Sequence, residues 1–258
     1  MKLEIDKRDL LSLIGKTQNI VEKRNTMPIL INVLLEADQN TLKVFATDLE
    51  VSLTDQIKVQ VHQPGKVAVS AKSLFDIAKE LSEGPITLIK KENNWLEIKQ
   101  GKYTSKIVGI SAEEYPIFPT YNSQAFIKID AQVLKEMIDK TIYSVSTDET
   151  RYHLNGVFFE LNPQSGFKMV ATDGHRMSLV NKPSSEIKVN ATQGVIIPRK
   201  GLHEIKKILE SIEGTVEIAV EGSQFVLKHS STILMIRLIE GKYPNYQQFI
   251  PQKLPQKV

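Results

Sequence analysis

The sequence of 258 residues contains no cysteine. This absence excludes disulfide bonds, thiolate metal sites and a cysteine nucleophile, and it fits a reducing compartment. No apolar run approaches the roughly 20 residues that are needed to span a bilayer. The first residues, MKLEIDKRDLL, lack the apolar segment of a signal peptide. We therefore expect a cytoplasmic protein that makes no membrane contact.

Sequence signatures of nucleotide and metal chemistry are also missing. The chain has no GxGxxG motif and no phosphate-binding GxxxxGKS or GxxxxGKT loop. Its five histidines show no metal-ligand spacing. The net charge of +3 permits an anionic partner without requiring one. These absences predict no metal and no cofactor.

What the sequence does contain is a long internal repeat. Seven residues of the segment 5–21 recur, at an offset of 124 positions, in the segment 129–145. Four further pairs of blocks follow in the same order: 30–36 with 154–160, 43–53 with 168–179, 69–81 with 197–209, and 113–119 with 241–251. We therefore predict two copies of one domain, residues 1–120 and 121–252, joined at a polar stretch near 120–125 and followed by a tail, 253–258.

Each copy is predicted to combine two helices with many antiparallel strands. Apolar residues recur at helical spacing in four segments: 7–22, 72–82, 131–145 and 200–211. Gly84 and Gly214 follow two of these segments as stop signals. Hairpin turns are predicted at 37–40, 93–94 and 221–223. The predicted fold class is α+β, with the two helices of each copy packed on antiparallel sheets.

Three interpretations of the segment TDGHR stay open. Asp173 and His175 suggest a catalytic acid–base pair. The first copy has TDLEV at this place, without a histidine, so the shared Thr-Asp favours a structural turn. A binding surface is the third interpretation. Asp48 and Glu50, or Glu113 and Glu114, raise the alternative of a metal-dependent nuclease, although their spacing favours solvated surface.

Basic residues are concentrated on the predicted helices. Residues 7–24 hold five basic and two acidic side chains, and residues 199–210 hold four basic and two acidic ones. Such helices suit contacts to backbone phosphates that do not read base sequence. A solvated helix face explains the same charges equally well.

Several blocks resemble the beta subunit of bacterial DNA polymerase III, the sliding clamp family. They are MPILINVLLE (27–36), FATDLEVSL (45–53), AKSLFDIAKEL (71–81), RYHLNGVFFE (151–160), VATDGHRMSLV (170–180), IIPRKGLHEI (196–205) and GKYPNYQQFIP (241–251). The resemblance runs from Met1 to about Pro251. It implies a non-enzymatic processivity factor in which six similar domains form a ring, with helices lining the hole through which duplex DNA passes.

The resemblance also implies two sets of site residues. The positions that match DNA contacts are Arg24, Lys72, Tyr152, His153, Arg199 and Lys200. The positions that match a hydrophobic cleft, which binds short peptides of the polymerase, the clamp loader and repair proteins, are Leu154, Thr172, Gly174, His175, Arg176, Met177, Pro244, Gln248 and Phe249. Apolar walls with a few polar groups suit a peptide anchor.

The chain departs from the family in its length, because the third domain expected after the tail QKLPQKV is missing. The tail contains proline and lysine and is typical of the start of a linker, so we expect a truncated chain. That domain is expected to supply one wall of the cleft and the partner edge that closes the ring. Two alternatives remain at this point: a metal-dependent nuclease on a duplicated scaffold, and a complete two-domain clamp that forms a trimer.

Overall fold

The computed structural model describes residues 1–21, 27–121, 126–184 and 193–251. These residues form three antiparallel sheets and four α-helices: α1 (Lys7–Gly15), α2 (Ala71–Glu80), α3 (Ala131–Asp139) and α4 (Arg199–Leu209). None of these helices has the length and apolar character needed to cross a membrane. The predicted α+β class is confirmed.

The first sheet has five strands. Their order is β5 (Gln60–Gln63), β1 (Lys2–Asp6), β7 (Pro85–Lys90), β8 (Leu96–Gln100) and β9 (Tyr103–Ile107). The helix α1 follows β1 directly and buries Leu10, Leu13 and Ile14. It begins where the Asp6 carboxylate accepts a hydrogen bond from the Arg8 amide, which is the usual chemistry of a helix N-cap.

The second sheet has nine strands and the third has four. The order in the nine-stranded sheet is β10 (Gly109–Ile110), β6 (Gly65–Ser70), β2 (Asn32–Asp38), β3 (Thr41–Thr47), β4 (Val51–Lys58), β18 (Thr232–Arg237), β17 (Gln224–His229), β16 (Thr215–Glu221) and β11 (Ile127–Asp130). The order in the four-stranded sheet is β14 (Met177–Lys182), β13 (Gly166–Thr172), β12 (Gly156–Asn162) and β15 (Gln193–Pro198).

Contacts divide the chain into two compact units. Unit 1 comprises Met1–Glu136 and Lys200–Arg237, and unit 2 comprises Met137–Arg199 with the segment from Leu238 onward. Unit 1 therefore holds the five-stranded and nine-stranded sheets, and unit 2 holds the four-stranded sheet. The predicted domains, 1–120 and 121–252, follow the repeat instead and stay a prediction; residues 122–125 and the tail 253–258 lie outside the described residues.

The helices α1 and α3 are shorter than their apolar spacing predicts. The predicted ends at 22 and 145 were wrong, because α1 ends at Gly15 and α3 at Asp139. Thr17 and Thr141 are fully buried, and their hydroxyls donate to the carbonyl oxygens of Ile14 and Met137. These side-chain bonds satisfy carbonyl oxygens at the C-terminal end of each helix, and the two helices end at the same place in the repeat.

The predicted hairpin turns are confirmed. Gln39 and Asn40 both have positive φ between β2 and β3, as do Asn93 and Asn94 between β7 and β8. Gly222 has a φ of 55° between β16 and β17. Asparagine and glycine adopt this left-handed backbone more readily than other residues, which explains why the sequence signal was strong at these places.

A seam between strands that are distant in sequence holds the nine-stranded sheet together. Strand β4 pairs antiparallel with β18, with Leu53 opposite Leu234 and Val51 opposite Ile236. The Arg237 amide extends the seam by donating to the Glu50 carbonyl oxygen at 2.8 Å. In terms of the repeat, β4 belongs to the first copy and β18 to the second.

A buried carboxylate, Asp55 on β4, stabilises one end of this seam. Its oxygens accept hydrogen bonds from Ser231 Oγ at 2.7 Å and Thr232 Oγ1 at 3.0 Å, both beside the start of β18. Lys16 Nζ lies 2.5 Å from Asp55 Oδ2. Burial opposes ionisation of Asp55, but the hydrogen bonds from Lys16 and Ser231 outweigh it and lower the pKa of this carboxyl. The carboxylate therefore connects α1, β4 and the β17–β18 turn as a charged group.

We expect Asp55→Asn to lower the free energy of unfolding at pH 7 by about 1.5–3 kcal/mol, because hydrogen bonds to a charged group are lost. Urea unfolding checks this. A carboxyl with a lowered folded-state pKa stabilises the fold above its unfolded pKa of about 4 and loses that effect as the pH falls. The difference in free energy of unfolding between wild type and Asp55→Asn should therefore shrink below about pH 4.

Asp38→Asn, at an exposed hairpin, is the matched control. Equal free energies of unfolding for wild type and Asp55→Asn would contradict a stabilising role of Asp55 at the seam.

Candidate functional site

An apolar cluster of aromatic and aliphatic side chains lies in unit 2, where the sequence predicts a cleft. Its buried members are Leu154, Val170, Ile196, Tyr243 and Tyr246, and the partly buried side chains packed against them are Phe158, Met177 and Ile239. The Phe158 and Tyr243 rings are stacked with centroids 5.1 Å apart. Strands β12, β13 and β15 supply Phe158, Val170 and Ile196, so a rigid sheet positions the cluster.

A tight turn from Thr172 to Met177 borders this cluster. Asp173 Oδ1 accepts hydrogen bonds from the amides of His175 and Arg176 at 2.9 and 3.0 Å. These backbone bonds lower the pKa of Asp173 to about 2, so the carboxylate stays charged at neutral pH. Thr172 Oγ1 accepts from the Gly174 amide and donates to the Arg176 carbonyl oxygen. Gly174 has a φ of 91°, a left-handed backbone conformation that glycine adopts more readily than residues with a side chain.

The Arg176 side chain is exposed but held in one orientation. Its Nε lies 3.1 Å from Asp173 Oδ2, and its Nη2 donates to the Tyr143 carbonyl oxygen at 2.7 Å. The guanidinium also lies over the Tyr143 ring, 5.7 Å from the centroid. A fixed cation beside an apolar cluster is a polar group that can orient a bound ligand.

The first copy contains the same turn with different chemistry. Thr47 Oγ1 accepts from the Leu49 amide, and Asp48 Oδ1 accepts from the amides of Glu50 and Val51. Leu49 has a φ of 76° where the second copy has glycine. This match confirms that the shared Thr-Asp forms a structural turn. The carboxylates of Asp48 and Asp173 both bond backbone amides, which gives no support to the catalytic interpretations.

The described residues also lack the cluster of metal ligands that a metal-dependent nuclease needs. Across residues 1–21, 27–121, 126–184 and 193–251, no group of three or more acidic, histidine or cysteine side chains is placed to hold a metal ion. Asp48 Oδ2 instead lies 2.5 Å from Lys200 Nζ, in an ion pair whose carboxylate is buried. The nuclease reading is not favoured.

The predicted cleft residues divide into three groups. Leu154 and Met177 belong to the apolar cluster, and Thr172, Gly174, His175 and Arg176 form the turn beside it. Pro244 is half-buried between the buried Tyr243 and Tyr246. Gln248 and Phe249 lie in a short 3₁₀ helix, Tyr246–Phe249, and are exposed; Phe249 retains 66% of its exposure.

Sequence reasoning missed several residues of the cluster. Tyr243 and Tyr246 supply buried rings, yet in the sequence they are simply part of the repeated block 241–251. Val170, Phe158, Ile196 and Ile239 read as ordinary strand residues. The sequence shows apolar residues alternating along three neighbouring strands, but this pattern is the same for a ligand-binding site and for an ordinary hydrophobic core.

The predicted DNA contacts are mostly exposed. Lys72 is the second residue of α2, Arg199 is the first residue of α4, and both are exposed. The Tyr152 ring is exposed and meets the half-buried His153 ring edge to face, with centroids 5.7 Å apart. The charge of Lys200 is already balanced by Asp48, which weakens the case for a phosphate contact at that residue. Arg24 lies outside the described residues.

Comparisons with known proteins agree along the whole chain. Residues 1–119 match the N-terminal domain, and residues 128–245 the central domain, of the DNA polymerase III beta subunit. The beta sliding clamp of Caulobacter vibrioides is 34% identical over 257 residues, which cover 98% of this chain and 69% of that protein.

Solved structures show the same fold. The sliding clamp of Bacillus subtilis superposes with a TM-score of 0.94 at 30% identity, covering 98% of this chain and 68% of that one. The sliding clamp of Bartonella birtlesii, bound to griselimycin, gives a TM-score of 0.90 at 32% identity with the same coverage. With both family domains matched and a relative above 30% identity, the chain belongs to the sliding clamp family, the beta subunits of bacterial DNA polymerase III.

Proposed function

We propose that this protein is a non-catalytic processivity factor of DNA replication, which encircles duplex DNA and tethers the replicative polymerase. The observation that carries the proposal is the match to sliding clamps over 98% of the chain, in sequence and in fold. Ring closure by several chains, which the family resemblance implies, is part of the proposal. So is action in the cytoplasm, where the replication proteins meet DNA.

DNA retention by a ring needs little specific chemistry. A polymerase attached to a ring around DNA stays at a high effective concentration without strong contacts to the DNA itself. Exposed cations such as Lys72 and Arg199 suit this task, because a contact to phosphate carries no sequence information and permits sliding. Tyr152 and His153 add a pair of aromatic rings that can lie against the sugar-phosphate backbone.

Partner binding is assigned to the apolar cluster beside the Thr172–Met177 turn. Leu154 and Met177 offer apolar surface, and Arg176 offers a cation that Asp173 and Tyr143 already orient. Such a site suits a short peptide with an apolar anchor, supplied by the polymerase, the clamp loader or repair proteins. The similar clamp that binds griselimycin supports the view that a protein of this fold takes a ligand.

We expect Met177→Ala to weaken binding of a peptide from the polymerase C-terminus about tenfold, which corresponds to about 1.4 kcal/mol. The substitution removes apolar surface that the peptide anchor would cover, while leaving the turn in place. Fluorescence anisotropy of a labelled peptide measures the Kd. Met27→Ala removes an exposed methionine in the first copy and should leave the Kd unchanged. Equal Kd values for wild type and Met177→Ala, with both proteins folded, would exclude this cleft.

For DNA, we expect Lys72→Ala and Arg199→Ala each to reduce the dependence of binding on salt. Each lost phosphate contact should lower the slope of log Kobs against log salt by about 0.9, and two duplexes of different sequence should respond alike. Anisotropy of labelled duplexes over a salt series measures this slope. Lys102→Ala, at an exposed hairpin between β8 and β9, is the control. Slopes that do not differ from wild type would remove both residues from the DNA contacts.

A further inference from the structure

A groove of about 760 Å³ lies in unit 1 between the helices α1, α2 and α4. Its floor is the seam already described, with Leu53 of β4 1% exposed and Thr232 of β18 5% exposed. The groove shares no residue with the apolar cluster or with the Thr172–Met177 turn. Its volume is within the usual range of small-molecule pockets, about 300–1,000 Å³. It therefore has room for a ligand that is separate from the proposed peptide.

Each of the three helices contributes one half-buried apolar side chain to the walls of the groove. These side chains are Leu11 of α1, Phe75 of α2 and Ile208 of α4. Half-buried side chains leave apolar surface in contact with water, and a flat ring that covers this surface gains hydrophobic free energy. The Phe75 ring can also stack on an aromatic ligand. The walls thus favour a planar aromatic body.

Gly15, the last residue of α1, keeps space open beside Phe75. Its φ is not in the left-handed region, so the backbone at this position does not require glycine. A Cβ on Gly15 would meet Phe75 Cε2 at 3.6 Å, an ordinary contact, so close packing does not require glycine either. In the second copy, Asp139 ends α3 at the corresponding place. A side chain at this place is therefore compatible with the fold, and in the first copy it would project into the groove.

Three lysines line the groove, and one of them keeps an unbalanced charge. Lys16 Nζ lies 2.5 Å from Asp55 Oδ2. Lys207 Nζ lies 2.8 Å from Glu204 Oε1. Lys79 has no carboxylate partner among the residues that the structure describes; its Nζ lies over the phenylalanine ring of the groove, 5.5 Å from the centroid. A single ammonium without a counter-ion, next to an aromatic wall, suits a ligand that carries one anionic group.

Four uncharged polar side chains also border the groove. They are Ser12, Asn19, His229 and Ser230, and within the described part of the chain none of them has a side-chain hydrogen bond or ion pair. Hydroxyl, amide and imidazole groups can both donate and accept hydrogen bonds. Such groups suit the hydroxyls of a sugar and the polar edge of a base.

We propose that this groove binds a nucleoside 5′-monophosphate. The base lies against Phe75 and Ile208, in the space that Gly15 leaves open, and the phosphate is held by Lys79. The ligand has an aromatic ring, a polar sugar and one phosphate group, and the groove offers a matching surface for each of these parts.

This site goes beyond the proposed DNA and peptide contacts. It is assigned to a small molecule, and it uses neither the predicted DNA contacts nor the predicted cleft residues. Its test measures nucleotide binding to the full chain without DNA or peptide. Failure of this site would therefore be distinct from failure of the proposed function.

Equilibrium dialysis of the full chain against adenosine 5′-monophosphate measures the Kd and the number of sites. A purine is chosen because it offers the larger ring face. We expect saturable binding of one molecule per chain. Adenosine, which lacks the phosphate, and inorganic phosphate, which lacks the ring, should each bind about tenfold more weakly or less well still, because each uses one half of the site.

Two variants test the two halves of the site separately. Gly15→Leu fills the space beside Phe75 and should weaken binding of adenosine 5′-monophosphate about tenfold, with folding confirmed by circular dichroism. Lys79→Gln should weaken binding of the nucleotide by a similar factor and leave binding of adenosine unchanged. Lys102→Gln, at an exposed hairpin, is the matched control for Lys79→Gln and should bind like wild type.

Three results would overturn the proposal. The first is the absence of saturable binding at every attainable nucleotide concentration. The second is inorganic phosphate binding as tightly as the nucleotide, which would reveal a plain anion site. The third is a Lys79→Gln variant, or a folded Gly15→Leu variant, that binds the nucleotide as tightly as wild type does.

Discussion

The pairing of β4 with β18 is the contact on which the architecture of unit 1 depends, because it turns two separate groups of strands into one nine-stranded sheet. The seam joins residues about 180 positions apart, so its loop-closure cost must be offset by what it buries. Leu53 and Leu234 supply apolar burial, and Asp55 supplies a charged group shared by α1, β4 and the β17–β18 turn. Because the Asp55 carboxylate accepts hydrogen bonds from several donors at defined positions, it favours one register of β4 against β18 and also stabilises the fold.

The Thr-Asp turn shows how one local structure serves two purposes. In the first copy, the turn precedes β4, and Asp48 also holds Lys200 in an ion pair. In the second copy, the same hydrogen bonds form around Asp173, but glycine replaces leucine at the left-handed position and Arg176 projects beside an apolar cluster. The backbone of the turn is therefore the same in both copies, while the side chains around it form an ion pair in one copy and border an apolar cluster in the other.

The proposed functions use different physical chemistry in different places. An apolar cluster beside one oriented cation suits recognition of a particular peptide. A wrong peptide would leave polar groups of the site or of the peptide unpaired, and this would weaken its binding. Exposed lysine and arginine side chains on helices suit DNA that must slide, because phosphate contacts are alike at every base step. The ion pair between Lys200 and Asp48 shows that basic residues on a helix are not equivalent, since a charge that is balanced within the fold has less to offer a phosphate.

The sequence by itself determined the features that rest on local or repeated signals. Helical spacing and turn chemistry predicted the α+β class, the positions of α2 and α4, and the asparagine and glycine hairpins. The resemblance of whole blocks indicated the family, and the internal repeat predicts two domain copies. Tertiary structure decided the rest. Two helices end before their apolar pattern does, at Gly15 and Asp139, and the buried Thr17 and Thr141 beyond these ends bond helix carbonyl oxygens. Apolar spacing continues past both ends and therefore does not mark them. Tyr243 and Tyr246 joined the cluster, and Lys200 met Asp48, because pairing brings together residues whose separation in sequence carries no signal of their contact.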